Sequence, residues 1–153
     1  MAQKSKKEHI VQTALPLLLE NGFKGTSIDM VVRASGVSKP TVYNHFPDKS
    51  ALMLAVIERW VEDNKPLILP LRDPEEFKSY IDQSWLTTEA VRLYAIVIGE
   101  GFRFPDAREL FWERFDRRWR RAFSYLGEHS PGLEPETMER ELDRRLLERL
   151  RAQ

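Results

Sequence analysis

The stretch SGVSKPTVYNHFPDKSAL, residues 35–52, has the features of a short polar helix enclosed by two turns. Gly36 can form the first turn, Ser38 can cap the helix, and Pro40 falls in its first turn, where no backbone donor is missed. Pro47 ends the run. Most side chains between the two prolines can form hydrogen bonds, and few are apolar. The segment therefore predicts a helix whose outer face binds a partner.

A second short helix is predicted immediately before this segment. Thr26 is placed to cap it, and Asp29 can reach back in the manner of a capping box. The Ser-Gly pair at 35–36 ends it. The two helices, roughly 27–34 and 38–45, are joined by a short connection that contains glycine, which is the outline of a helix-turn-helix.

The remaining sequence is also helical in its periodicity. Apolar residues from Lys6 to Asn21 recur at helical spacing, although Pro16 should kink that helix. Asp73 and Pro74 form a strong helix start. Further helices are predicted over about 48–63, 77–86, 88–102, 104–126 and 136–150. Because no stretch has the pattern of a strand, we expect an all-α fold.

The composition is that of a folded, charge-rich protein of 153 residues, with 42% apolar and 31% charged residues. The absence of cysteine excludes disulfides and thiolate metal sites. No apolar run approaches the roughly 18 residues that a membrane span needs. The basic N-terminus is not followed by the apolar core of a signal peptide. We therefore expect a cytoplasmic protein.

Charge is distributed unevenly along the chain, although its net value is zero. Residues 1–49 contain seven basic and four acidic side chains, for a net charge of +3, and the remainder carries −3. A basic first third favours an anionic partner for that part of the chain. An excess this small also fits a chance distribution of surface charge.

The short polar helix suits DNA recognition. In a helix that begins near Lys39, Val42 and Phe46 should face inward, and the polar side chains then face outward. Hydroxyls, amides and a lysine match phosphates and base edges, and a helix fits the major groove, which is about 12 Å wide. Lys49 adds its charge to the N-terminus of the next helix, and both favour a phosphate. The alternative from the residues alone is a solvated connector, with Tyr43 lying over the core.

Residues 6–57 resemble the N-terminal DNA-binding domain of the TetR/AcrR family of bacterial transcriptional regulators. The matching motifs are NGF at 21–23, TS at 26–27, ASGVS at 34–38, TVY at 41–43, HF at 45–46, and Lys49 with Leu52. The stretch RFPDARELFWERF, residues 103–115, is similar to a weaker pattern in the C-terminal domains of the family. The chain is short for that family in its second domain.

The resemblance implies a three-helix helix-turn-helix DNA-binding domain at residues 1–49 and a helical effector-binding and dimerisation domain at residues 50–153. It also implies a homodimer that binds a palindromic operator in double-stranded DNA, with one recognition helix in the major groove of each half-site. Carried over by position, the DNA-binding residues are Thr26, Ser27, Ser38, Lys39, Thr41, Tyr43, Asn44, His45 and Lys49.

The implied contacts divide into two kinds. Tyr43 and Lys49 would mainly bind DNA phosphates. Thr41 is the first candidate for a base edge, followed by Lys39 and Asn44.

The second domain contains candidates for both an effector pocket and a dimer interface. The pocket candidates are Trp60, Trp85, Tyr94, Phe102, Phe104 and Trp112. Plain core packing explains such aromatic residues better, and the implied effector would be small and largely apolar. The interface candidates form two apolar stripes, Phe111, Phe115, Trp119, Ala122 and Leu126, and Leu142, Leu146 and Leu150. These stripes could also close the core of one chain, but we favour the dimer because a short chain has few helices to cover them.

A run of arginines from Arg114 to Arg121 is interpreted as an ion-paired face rather than a second nucleic-acid site. Glu109, Glu113 and Asp116 lie at helical spacing from it and can pair with it.

The patterns and the resemblance together predict a ligand-responsive transcriptional regulator, a repressor, that needs no cofactor and no metal. An enzyme is not expected, because the three histidines are far apart and no nucleophile motif is present. One alternative is a protein-interaction adaptor, which would not need Lys39, Tyr43 and Lys49 on one face. The other is a DNA-binding protein on the same fold that responds to no effector.

Overall fold

The computed structural model describes residues 4–153. Within that range the chain is helical and has no strand, so the predicted all-α fold is confirmed. The α-helices are α1 (Lys6–Gly25), α2 (Ile28–Ser35), α3 (Lys39–His45), α4 (Lys49–Asp63), α5 (Pro74–Tyr80), α6 (Thr88–Glu100), α7 (Pro105–Phe111), α8 (Arg117–His129) and α9 (Pro135–Arg151). Two π-helical turns, Ile81–Trp85 and Trp112–Asp116, and one 3₁₀ turn, Gly101–Arg103, lie between them. None of the described helices has the length and apolar character to cross a membrane.

The chain forms two compact units. The first extends to Asp63 and also contains Ile96–Phe111, whereas the second contains Asn64–Ala95 and the chain from Trp112 onward. The predicted domain boundary after residue 49 falls inside the first unit, because α4 packs against α1 and α7 there. The assignment of a DNA-binding role and an effector role to the two parts stays a prediction.

The first helix is interrupted at Gly22 rather than at Pro16. Gly22 has φ 73° and ψ −177°, whereas the backbone at Pro16 stays helical. The expected local defect at Pro16 is therefore absent from the backbone angles, since the fixed φ of proline is itself compatible with a helix. The left-handed φ at Gly22 is open to glycine without steric cost, which explains why the break comes at that residue.

Aromatic side chains fill the interior of the second unit. Trp85 and Tyr94 are fully buried, and Phe123 packs with its ring centroid 5.4 Å from that of Trp85. The Tyr94 hydroxyl donates to Asp116 at 2.6 Å and accepts from the Trp85 indole N–H at 3.1 Å. Arg120 Nε donates to the same carboxylate at 3.1 Å. These bonds satisfy the polar atoms of the network and give the core a fixed geometry.

The two stripes predicted for a dimer interface lie inside one chain. Phe111 is buried in the first unit; Phe115, Trp119, Ala122, Leu126, Leu142 and Leu146 are buried in the second, and Leu150 is half-buried. Helices α8 and α9 pack against each other, Trp119 packs against Phe123, and Phe111 packs against Trp60 in the first unit. The structure therefore corresponds to the alternative in which the stripes close the core of one chain. The dimer and its interface stay a prediction.

Candidate nucleic-acid interface

The connection between α2 and α3 has the geometry of a tight turn. Gly36 has φ 68°, and its N–H donates to the carbonyl of Val32 at 3.1 Å, which ends α2. Ser38 caps α3 by accepting a hydrogen bond from the Thr41 N–H at 3.4 Å, and Pro40 lies in the first turn. Because glycine adopts this left-handed φ without strain, Gly36 allows α3 to leave α2 at a sharp angle.

Helix α3 buries one face and exposes the other. Val42 is fully buried and Phe46, just after the helix, is 2% exposed, as the sequence predicts. Tyr43 is 43% exposed, and Asn44 and His45 are exposed beside it. The outward face of α3 therefore presents a phenol, an amide and an imidazole, all of which can form hydrogen bonds with DNA.

Polar side chains at the start of α3 hold one another in place. The hydroxyl oxygens of Ser38 and Thr41 lie 2.8 Å apart, and Thr41 is half-buried. Lys39 Nζ forms an exposed ion pair with Asp29 of α2 at 2.9 Å. Through their hydrogen bond and opposite charges, this pair raises the pKa of Lys39 and lowers the pKa of Asp29. Asp29 thus links the two helices and orients Lys39, instead of closing the predicted capping box.

The structure gives Thr26 and Ser27 roles that differ from the prediction. Thr26 is fully buried, and its hydroxyl donates to the carbonyls of Gly22 at 2.7 Å and Leu17 at 3.2 Å. Ser27 is the cap of α2, because its side chain accepts from the Met30 N–H at 3.2 Å. The predicted cap at Thr26 is therefore wrong by one residue. The Thr26 side chain closes the end of α1, and the exposed hydroxyl at this point belongs to Ser27.

Lys49 occupies a half-buried position at the start of α4. Its ammonium group donates to the carbonyl of Lys24 at 3.4 Å and lies 5.5 Å from the ring centroid of Phe104. Burial lowers the pKa of Lys49, while the nearby charge of Glu100 opposes this shift. The lysine charge and the helix N-terminus together form a site that favours a phosphate.

Eight of the nine predicted DNA-binding side chains are exposed or half-buried in the first unit, and only Thr26 is buried. Sequence reasoning missed the contribution of Glu100, whose carboxylate accepts a hydrogen bond from the Lys24 N–H at 2.6 Å. These two residues are 76 positions apart, and no local sequence pattern indicates such a contact.

The residues predicted for an effector pocket do not share one compact unit. Trp60, Phe102 and Phe104 belong to the first unit, and Trp85, Tyr94 and Trp112 belong to the second. Trp60 is core, 6.3 Å from Phe111 between ring centroids, and Phe102 is 68% exposed. Only the second group, which lines the aromatic interior around Tyr94, remains together.

Comparison with known proteins adds to this geometry. The sequence model described as "Bacterial regulatory proteins, tetR family" matches residues 10–56. The chain is 32% identical over 108 residues to the HTH-type transcriptional regulator UidR of Escherichia coli (strain K12), and the match covers 65% of this chain and 54% of UidR. The chain thus spans about half the length of that curated relative.

Two solved structures share the fold. A protein from Mesorhizobium loti, described as a TetR-family transcriptional regulator, superposes with a TM-score of 0.63 at 18% identity and covers 96% of both chains. The flavonoid-responsive regulator FrrA superposes with a TM-score of 0.59 at 28% identity, covering 81% of this chain and 67% of FrrA. These relatives are described as regulators rather than enzymes. The matched segment, the helix-turn-helix of α2 and α3 and the shared fold agree, and together they support the TetR family of bacterial regulatory proteins.

Proposed function

We propose that this chain is a cytoplasmic DNA-binding transcriptional regulator, which binds a palindromic operator as a homodimer and represses transcription by occupying it. The observation that carries the proposal is the outer face of α3, where Tyr43, Asn44 and His45 are exposed while Val42 is fully buried. A helix that follows a tight turn and presents hydrogen-bonding groups outward is suited to the major groove.

The proposed contacts are of two kinds: contacts with phosphates, which position the protein on the DNA, and contacts with base edges, which recognise the sequence. Ser38, Tyr43 and Lys49 bind phosphates and fix the register of the protein on the duplex. Asn44 reads a base edge, since its amide can pair with adenine through two hydrogen bonds. Thr41 and Lys39 provide the remaining base contacts, and Lys39 exchanges its Asp29 partner for DNA.

The proposed homodimer uses the outer surfaces of α8 and α9. Both helices keep large apolar or aromatic side chains exposed after the core of the chain is complete, Tyr125 at 48% and Leu147 at 53%. A symmetric dimer that buried these groups would contain two copies of α3, one for each half-site of a palindrome.

We propose that the ligand to which this regulator responds is a small, largely apolar molecule. Support comes from FrrA, whose description as flavonoid-responsive refers to a small aromatic ligand, and from the aromatic side chains around Tyr94. An effector can act only to the extent that it binds one arrangement of the dimer better than another. The arrangement that it favours would separate the two recognition helices by a distance that no longer matches one turn of DNA.

A second candidate is a DNA-binding regulator that responds to no effector. The packing of Trp85 and Tyr94 favours it, because both are fully buried and hydrogen-bonded to each other. A panel of small aromatic compounds, added to the operator complex, separates the two candidates. A change in operator affinity supports the effector proposal, whereas no change with any compound supports the second candidate.

The test of DNA binding is a salt titration on DNA selected from a random library. We expect wild type to select a palindrome, and Tyr43→Ala to bind it more weakly. Lys49→Ala should also lower the salt slope by about one per protomer, because one phosphate contact is lost. Lys78→Ala is the matched control, since Lys78 lies in the second unit and pairs with Glu75 at 2.6 Å.

The opposite result is equally informative. If no sequence is enriched and the Tyr43 and Lys49 variants bind DNA as wild type does, the outer face of α3 is not a DNA reader. The protein would then be an interaction adaptor on the same fold.

A further inference from the structure

The 3₁₀ turn Gly101–Arg103 is fixed against the end of α1, in the same compact unit as the helix-turn-helix. Just before the turn, Glu100 accepts the hydrogen bond from Lys24. Its carboxylate reaches the backbone because Gly22 has no side chain, and a Cβ there would lie 2.5 Å from Glu100 Oε1. Just after the turn, Phe104 stacks on Phe23 with 4.8 Å between ring centroids.

The fixed turn brings two cationic side chains, those of Lys49 and Arg103, together beside the backbone of Lys24. Lys49 lies over the ring of Phe104 and donates to the carbonyl of Lys24. Arg103 directly precedes Phe104, and its guanidinium carbon lies 5.3 Å from the ring centroid of Phe102. Lys24 and Arg103 are exposed, and Lys49 is half-buried. The cluster therefore presents its positive charge to solvent beside the N-terminus of α4.

The counter-charge in this cluster comes from the carboxylate of Glu100, whose charge opposes the lowered pKa of Lys49. The same carboxylate is already bonded to the backbone of Lys24. Among residues 4–153, no ion pair joins Arg103 to a carboxylate. The charge of Arg103 also contributes to the lowered pKa of Lys49, for which burial is the largest cause. Like charges held this close attract an external anion, and a helix N-terminus adds to that attraction.

We propose that Arg103 is a DNA phosphate contact that acts beside Lys49, so that the turn Gly101–Arg103 forms part of the operator-binding surface. The inference rests on the proposed function, in which Lys49 binds a phosphate. It extends DNA contact beyond the family-matched segment, residues 10–56. Because a phosphate contact carries no base information, Arg103 contributes to affinity and salt dependence but not to the sequence that is selected.

The test compares three variants of the full chain on the selected palindrome. Arg103→Gln should lower the slope of log K against log salt by about one per protomer and leave the selected sequence unchanged. Arg103→Lys should keep the slope, since a point charge is sufficient for a phosphate. Arg72→Gln is the control for net charge, because Arg72 is an exposed arginine in the second unit and lies outside α8 and α9, and it should match wild type.

Three results would overturn the inference. The first is an Arg103→Gln slope equal to that of wild type, and the second is an equal fall in slope for Arg72→Gln, which would indicate a general charge effect. The third is the absence of any selected DNA for wild type, in which case the proposed function fails and the inference fails with it. The first two results leave the proposed function intact, so the two failures are distinguishable.

Discussion

Lys49 combines a positive charge with partial burial, and burial lowers the pKa of its ammonium group below the ordinary value for lysine. A bound phosphate favours the charged form and raises this pKa again. At alkaline pH, Lys49 should therefore gain a proton when the protein binds the operator. We expect the affinity to fall as the pH rises through the lowered pKa of Lys49, before unperturbed lysines titrate.

The matched variant is Lys49→Arg, whose guanidinium stays charged over this whole range. Operator affinity, measured at constant ionic strength from about pH 7 to pH 10, should fall less steeply for Lys49→Arg than for wild type. Parallel curves for the two proteins would contradict the prediction. Stability should change in the opposite direction: a charged, partly desolvated Lys49 destabilises the fold, and this cost is lost as the pH rises from the folded pKa toward the unfolded value.

Gly22 shows why the break in α1 needs glycine for two separate reasons. Its φ of 73° strains any other residue, and a Cβ would displace the carboxylate of Glu100. Gly36 has a similar φ of 68° but open space around it, and Gly99 is helical with open space. Alanine substitutions at these three glycines can therefore distinguish the cost of backbone strain from the cost of a steric contact.

We predict that Gly22→Ala costs more stability than Gly36→Ala. Backbone strain should cost about 1–2 kcal/mol at Gly36, whose ψ of 8° lies in the αL region, and about 1–3 kcal/mol at Gly22, whose ψ of −177° lies in a region that is essentially limited to glycine. The loss of the bond between Glu100 and Lys24 should add about 0.5–1.5 kcal/mol to the first variant only. Gly99→Ala should be neutral or stabilising by up to about 1 kcal/mol, since alanine favours a helix. Urea unfolding measures all three, and equal costs at the first two positions would show that the contact with Glu100 contributes nothing.

The helices themselves could be predicted from the sequence where a local signal was unambiguous. Ser38 with Pro40 and Asp73 with Pro74 placed the starts of α3 and α5, and the structure has those caps. Thr26 and Ser27 could both cap α2, and the choice depends on which hydroxyl the end of α1 uses. Such a choice is made by tertiary contacts, which a local pattern does not contain.

The buried face of α3 was predictable, but the surroundings of the candidate site were not. Val42 and Phe46 are spaced four apart and turned inward as expected. The carboxylate that holds Lys24, and the ring beneath Lys49, come from residues 100–104. The periodicity of the sequence does not predict contacts between such distant parts of the chain.

The Tyr94 hydroxyl is hydrogen-bonded to the Trp85 N–H and to the Asp116 carboxylate inside the second unit. Arg120 donates to the same carboxylate. Burial and the adjacent Asp116 raise its pKa far above the ordinary tyrosine range, so the hydroxyl stays protonated and donates. Tyr94→Phe removes little volume, but it leaves Asp116 short of a donor and the Trp85 N–H without its acceptor. We expect a loss of about 1–3 kcal/mol in the free energy of unfolding.

Tyr43→Phe is the control for this substitution, because Tyr43 is exposed and its hydroxyl belongs to no buried network. Its effect on stability should stay within about 0.5 kcal/mol. Chemical unfolding of both variants, followed by far-ultraviolet circular dichroism, measures the difference. Equal stabilities would mean that the hydroxyl network is not a stabilising element of this core.

The apolar stripes on α8 and α9 show that the spacing of apolar residues does not predict what covers a buried helix face. A stripe shows that a helix face is buried, but the same pattern serves an intrachain core and a dimer interface. Here most of the stripe residues are buried within one chain, and Tyr125 and Leu147 are the large apolar or aromatic side chains that stay exposed on α8 and α9. The dimer therefore has to be tested at exposed positions.

Leu147→Glu is the substitution that tests this assignment, because Leu147 is 53% exposed on α9 and the change should leave the fold intact. Burial of one leucine contributes about 1.5–3 kcal/mol, and a symmetric interface contains each leucine twice. The dimer dissociation constant should therefore rise by more than about tenfold per copy, and operator affinity should fall with it. Leu67→Glu, at a residue that is 69% exposed between α4 and α5, is the control and should leave the dimer unchanged. Sedimentation over a range of concentrations measures both, and an unchanged mass for Leu147→Glu would remove the outer face of α9 from the interface.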